Sequence, residues 1–139
     1  MQAAHSSQKT ILVIDDKPTN RDSLRSLFTA AGFTVAEASD GLEALSLLYR
    51  GLRPCLIVLD LEMPVMDGEE FRRAQMAHSE YRAIPVVLFS AAPGLEQIAK
   101  RLQVAAYASK PADAAGLLAL AWRHCLKADP STLTSQLIV

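Results

Sequence analysis

Cys55-Leu56-Ile57-Val58-Leu59-Asp60 is an apolar, β-branched run that stops abruptly on a carboxylate. It is too short for a helix and too uniformly apolar for a strand with one wet face, so it reads as a strand buried on both sides. Four more runs of this kind stand at Ile11 to Ile14, Phe33 to Glu37, Ile84 to Phe89 and Ala105 to Ala108. Helical spacing fills the gaps, with stripes Leu24, Leu27, Phe28 and Ala31, then Leu42, Leu45 and Leu48, then Leu95, Ile98, Ala99 and Leu102, each expected to face a sheet. Asp40 with Glu43 has the form of a capping box, Pro18 suits a first helical turn, and Gly32 and Gly51 stand where helices end. Strand-helix alternation repeated five times predicts an α/β domain, a doubly wound five-stranded parallel sheet with right-handed crossovers.

A last helix is expected over roughly Ala112 to Lys127, after which Asp129-Pro130 breaks the chain direction. The expected organisation is an N-terminal tail over 1–9, one domain over 10–128, and a tail or linker stub over 129–139 carrying Leu133, Leu137, Ile138 and Val139. With 139 residues, half of them hydrophobic, the chain can bury a core without staples.

The net charge of -1 and the scattered Lys and Arg argue against nucleic-acid binding. Without a spanning apolar run or a secretory leader, the reading is a cytoplasmic protein independent of membranes. Cys55 and Cys125 show no ligand spacing and are expected to be separate buried fillers in a reducing cytosol, with no disulfide. His5, His78 and His124 have no carboxylate or Cys partner at ligand spacing and are given no role. Trp122 lies at helical spacing with Leu118, Ala121 and Cys125, which predicts core or interface. Arg72-Arg73 and Lys100-Arg101 read as solvated helix faces.

In an open parallel sheet the ligand crevice lies beyond the carboxyl ends of the strands. The first strand ends in Asp15-Asp16, the third in Asp60, the fourth in Ser90 and the fifth in Lys110-Pro111. Taken singly, each is ordinary, since Asp and Ser cap helices and a Lys before Pro usually sits in a wet turn. Together, three carboxylates at one edge repel, and must be neutralised by proton uptake, a cation or a salt bridge. An all-oxygen set without His or Cys suits Mg²⁺ better than zinc. An aspartate beside a hard cation and an ammonium has the parts for phosphoryl transfer, with Ser90 adding a hydrogen bond.

These residues resemble the receiver domains of response regulators, the CheY-like family, over roughly Thr10 to Lys127. The resemblance rests on Val13-Ile14-Asp15-Asp16, on Ile57 through Gly68 with Asp60-Leu61-Glu62-Met63-Pro64 at its centre, on Ser90-Ala91, and on Lys110-Pro111 with Tyr107 three residues earlier. It implies strand order 2-1-3-4-5 with five helices, and a two-component phosphorelay switch. Asp60 would take a phosphoryl group from a histidine kinase or histidine phosphotransfer protein. Asp15, Asp16, Asp60 and the backbone carbonyl of Glu62 would hold Mg²⁺, and Lys110 and Ser90 would contact the phosphoryl group. Ser90 and Tyr107 would move together as the switch. Pro64 stiffens the loop after the acceptor, and Gly68 permits close backbone approach. Output is expected as protein binding, to a downstream partner or to a second copy. Two departures, Gln103-Val104 where the family commonly has Gly-Ala, and Pro93-Gly94 after Ser90-Ala91-Ala92, predict altered ends for the fourth helix.

Two other readings compete. Haloacid-dehalogenase-type phosphatases also use a strand-end Asp, and Asp60-Leu61-Glu62 imitates their D-x-D, yet their nucleophile comes first and their acidic pair last, the reverse of this order. A receiver-fold module that works without phosphorylation is opposed by the intact acidic pair, acceptor and lysine. The chain could also be excised from a larger regulator or hybrid kinase.

Overall fold

The computed structural model describes residues 9–111 and 113–126. The expected tails, with His5, Ala112, Lys127 and the Asp129-Pro130 break, lie outside the described residues. Five strands, β1 (Thr10–Ile14), β2 (Thr34–Ala38), β3 (Leu56–Leu59), β4 (Val86–Ser90) and β5 (Ala106–Ser109), form one parallel sheet of order β2-β1-β3-β4-β5. Among the described residues five helices alternate with them: α1 (Pro18–Ala30), α2 (Gly41–Tyr49), α3 (Gly68–Met76), α4 (Leu95–Leu102) and α5 (Ala114–Cys125).

Alternation of side chains along the strands splits the core in two. Leu12, Ile14, Ile57, Leu59 and Leu88 join Ala44, Leu48 and Phe71 on one side, while Ile11, Val13, Val58, Val87 and Phe89 join Leu24, Phe28 and Leu117 on the other. This two-faced burial is why the central strands β1, β3 and β4 are almost wholly apolar, whereas the edge strands β2 and β5 carry Thr34, Glu37 and Ser109.

Helix ends follow local chemistry. Pro18 opens α1, and Asp40 accepts from the Glu43 amide at 2.8 Å. The reciprocal bond shifts by one residue, because Glu43 accepts from the Ser39 amide at 2.6 Å. A full capping box forms instead at α3, between Asp67 and Glu70. Gly32 and Gly51 take the left-handed backbone that ends α1 and α2. The unusual ends of α4 are visible too: Gly94 before it and Gln103 after it are both left-handed, with φ 70° and 56°.

Several expectations are corrected. Cys55 and Cys125 form a disulfide, tying the segment before β3 to the last turn of α5. The 70 residues between them carry no spacing signal, and only the packing of α5 over the sheet brings them together. Leu42 is 54% exposed, because α2 buries Gly41, Ala44 and Leu48 instead. Trp122, expected in the core or at an interface, is not in the core: 42% exposed, it packs on Phe33 with ring centroids 5.0 Å apart.

Arg72 is the largest departure. It is only 6% exposed, and its guanidinium reaches from α3 to the end of α4, donating to the carbonyls of Leu102 at 3.0 Å and Gln103 at 2.7 Å and to Gln75 Oε1 at 2.7 Å. Gln75, fully buried, donates onward to the Tyr81 and Ile84 carbonyls. Burial pushes the Arg72 guanidinium below its ordinary pKa. Nearby, Arg101 of α4 makes a forked pair with Glu69 of α3 at 2.9 and 3.1 Å, so the two helices are joined at the surface as well. No helix among the described residues is long and apolar enough to cross a membrane.

Candidate functional site at the carboxyl edge of the sheet

The order reverses between β1 and β3, which opens a crevice at their carboxyl ends. Parallel register sets what lines it. Ile14 pairs with Leu59, and one step further the Asp60 amide donates to the Ile14 carbonyl at 3.0 Å and the Asp15 amide to the Ala38 carbonyl at 3.1 Å. Asp15 and Asp60 therefore leave adjacent central strands side by side. Ser90 pairs with Ser109, and the Lys110 amide donates to the Ser90 carbonyl at 3.0 Å, which brings the hydroxyl and the ammonium to the same edge.

Carboxylate oxygens of Asp15, Asp16 and Asp60 lie within 4.8 Å of one another. Asp15 and Asp60 are buried, 2% and 7% exposed, and Asp16 is half-buried. The repulsion is met in part by Lys110, whose Nζ donates to Asp15 Oδ2 at 2.7 Å and lies 3.6 Å from Asp60 Oδ1. Asp15 also accepts from the Lys17 amide at 2.9 Å and from Asn20 Nδ2. Of the three routes to neutrality left open by the sequence, the salt bridge is thus present, but one ammonium cannot offset three carboxylates.

Burial pushes the Asp60 carboxyl above its ordinary pKa; the Lys110 ammonium pulls it back, Asp15 raises it further, and the Leu61 and Glu62 N–H groups lower it. The Leu61 amide donates to Asp60 Oδ1 at 2.9 Å. The loop beyond is closely packed: a Cβ on Gly68 would overlap the Asp60 carbonyl oxygen and lie 2.9 Å from Leu61 Cα. The glycine is there because the α3 N-terminus presses on the backbone of Asp60 and Leu61. Ser90 is buried, its Oγ accepting from the Ala92 amide at 3.1 Å, whereas Tyr107 is 43% exposed.

The donor set fits a hard divalent cation: Asp15, Asp16 and Asp60 each offer a carboxylate oxygen, and these oxygens are gathered within 4.8 Å of one another. Residues 11–121 match the response regulator receiver domain family.

The chain belongs to that family. Among its relatives, an uncharacterised 14.6 kDa protein of Leptolyngbya boryana is 37% identical over 89% of this chain and 95% of its own length. The polar-differentiation response regulator DivK of Brucella anthropi is 33% identical over 74% of this chain and 85% of its own. The chemotaxis protein CheY4 of Vibrio cholerae superposes with a TM-score of 0.74 at 30% identity, covering 83% of this chain and 97% of that one. Other relatives are longer, the chain spanning 10% and 26% of two of them. As a receiver domain the chain is a phosphoacceptor signalling module, and the phosphatase reading is not favoured.

Asn20, Arg21 and Arg72 went unnoticed as functional or buried residues in the sequence. A polar residue five or six positions after Asp15 lies in the opening turn of α1 and returns to the strand end, a signal that spacing alone could have carried.

Proposed function

We propose that Asp60 is the phosphoacceptor, taking the group from a histidine kinase or a histidine phosphotransfer protein, and that Asp15, Asp16, Asp60 and the Glu62 carbonyl hold Mg²⁺. The observation that carries this is the convergence of three carboxylates within 4.8 Å around a buried Asp60, with Lys110 beside it. When bound, Mg²⁺ supplies positive charge to the equatorial oxygens of the transferring group. The Asp60 carboxylate attacks phosphorus in line; the O–P bond forms as the P–N bond to the donor imidazole breaks, and the imidazole leaves with its electron pair. Lys110, now paired with Asp15, offers its ammonium to the new phosphoryl oxygens, and Ser90 Oγ donates a hydrogen bond to them.

Departure of the Ser90 hydroxyl toward the phosphoryl group vacates space that the exposed Tyr107 ring can fill, and this pair is the switch. Driving such a two-state change from 1:99 to 99:1 takes about 5.5 kcal/mol of differential interaction. Output is binding of a downstream protein or a second copy through Tyr107, α4 and α5, and the chain is a switch in the cytoplasm, its only chemistry being its own phosphoryl uptake and loss.

The test is phosphoryl uptake from acetyl phosphate with Mg²⁺ and with excess chelator. Uptake is expected with the cation and is expected to vanish without it; labelling undiminished by the chelator overturns the cation's role.

A further inference from the structure

We propose that Arg21 is a positioning residue for the acidic pair, fixing the Asp15–Asp16 peptide plane and through it the aim of the Asp16 carboxylate; this rests on the reading of the acidic cluster as a cation site. Arg21 lies one turn into α1, and its NH1 donates to the Asp15 carbonyl at 2.7 Å. Its Nε donates to Glu37 Oε1 at 3.3 Å, at the end of β2, and Glu37 is held from its other oxygen by Arg25. The Arg21 side chain is 19% exposed, so the fork is largely shielded from water.

The two aspartates depend on this fork unequally. Asp15 has its carboxylate fixed by Lys17, Asn20 and Lys110 whatever Arg21 does. The Asp16 carboxylate has no hydrogen-bond partner among the described residues, so its direction is set by its backbone. The carbonyl that Arg21 grips belongs to the peptide unit that leads into Asp16. An outer partner that orients a ligand is worth roughly 10–100-fold in metal affinity.

Charge and positioning predict opposite signs. Arg21 is a cation beside the site, with its NH1 on the Asp15 carbonyl. If only its charge mattered, removing it would tighten the binding of a second cation.

Calorimetric titration of the full chain with Mg²⁺ alone separates the two. Arg21→Met is expected to weaken binding about tenfold, with uptake from acetyl phosphate restored at saturating Mg²⁺. Arg21→Lys is expected to fall between, since one ammonium cannot span both the carbonyl and Glu37. Glu37→Ala is expected to shift in the same direction by less, and it decides by the same criterion if Arg21→Met does not fold. Unchanged or tighter binding in Arg21→Met, or a deficit in uptake that persists at saturation, overturns the proposal. Asp16→Ala tells the two readings apart: if it loses Mg²⁺ while Arg21→Met does not, only the role of Arg21 falls, and if the unaltered chain binds no Mg²⁺, both fall.

Discussion

Asp60→Asn is expected to take up no phosphoryl group from acetyl phosphate or from a histidine kinase, while remaining folded and at least as stable as the parent. An amide oxygen is a poor nucleophile, and no other carboxylate stands where Asp60 does, so the loss should be complete rather than graded. The stability half of the result follows from burial. Asp60 has a folded-state pKa above its ordinary value, chiefly from desolvation. The folded chain therefore binds that proton more tightly than the unfolded chain, and stability from this group is greatest below the unfolded pKa of about 3.9 and declines as pH rises through the folded value. At neutral pH without a divalent cation the ionised carboxylate is a cost, and asparagine removes it. Intact-mass labelling and thermal melts in chelator check both halves; labelling at the parental level defeats the assignment of Asp60, and a large drop in Tm defeats the electrostatic account.

Arg72→Ala should produce the largest loss of stability of any helix-surface arginine in the chain. Its guanidinium satisfies the Leu102 and Gln103 carbonyls and the Gln75 side chain at once, and Gln103 is held in a left-handed backbone that its side chain disfavours. Truncation leaves the buried Gln75 Oε1 unpaired, at about 1–3 kcal/mol before relaxation, and strips the part-buried Leu102 and Gln103 carbonyls of a charged donor, at about 1 kcal/mol together because water can replace it. The cation itself is buried with no carboxylate in salt-bridge range among the described residues, so removing it returns part of that. The net expectation is roughly 2–3 kcal/mol, a fall in Tm of about 6–12 °C. Arg72→Lys should recover only part, because an ammonium lacks the planar fork. Melting within a degree of the parent would return Arg72 to the solvated face on which its sequence places it.

Most of the fold was legible because the central strands β1, β3 and β4 are nearly unbroken apolar runs and the loops carry their own punctuation. Register did the rest at the site: once β1 and β3 are neighbours, Asp15 and Asp60 must emerge together, and β4 beside β5 does the same for Ser90 and Lys110. What stayed hidden depends on distance in sequence. Arg72 beside Arg73 has the pattern of a wet face, and nothing local tells that one of the two meets the end of a helix 30 residues away. Cys55 and Cys125 are equally mute until α5 lies on the sheet. The stripe in α2 was displaced because Leu42 obeys the same spacing as Ala44, and the smaller residue is the one buried.

The Cys55–Cys125 bond also has a topological result. It closes a covalent ring that contains Asp60, Ser90, Tyr107 and Lys110, and leaves Asp15 and Asp16 on the arm outside. A single cut by a protease at any loop between β3 and α5 would open that ring without releasing a fragment: the chain would gain the mass of one water and separate into two pieces only under a reductant. The proposed acceptor Asp60, the proposed switch pair Ser90 and Tyr107, and Lys110 are thus carried on one closed loop, to which the acidic pair is held without a covalent link, by the sheet and by the Lys110–Asp15 ion pair.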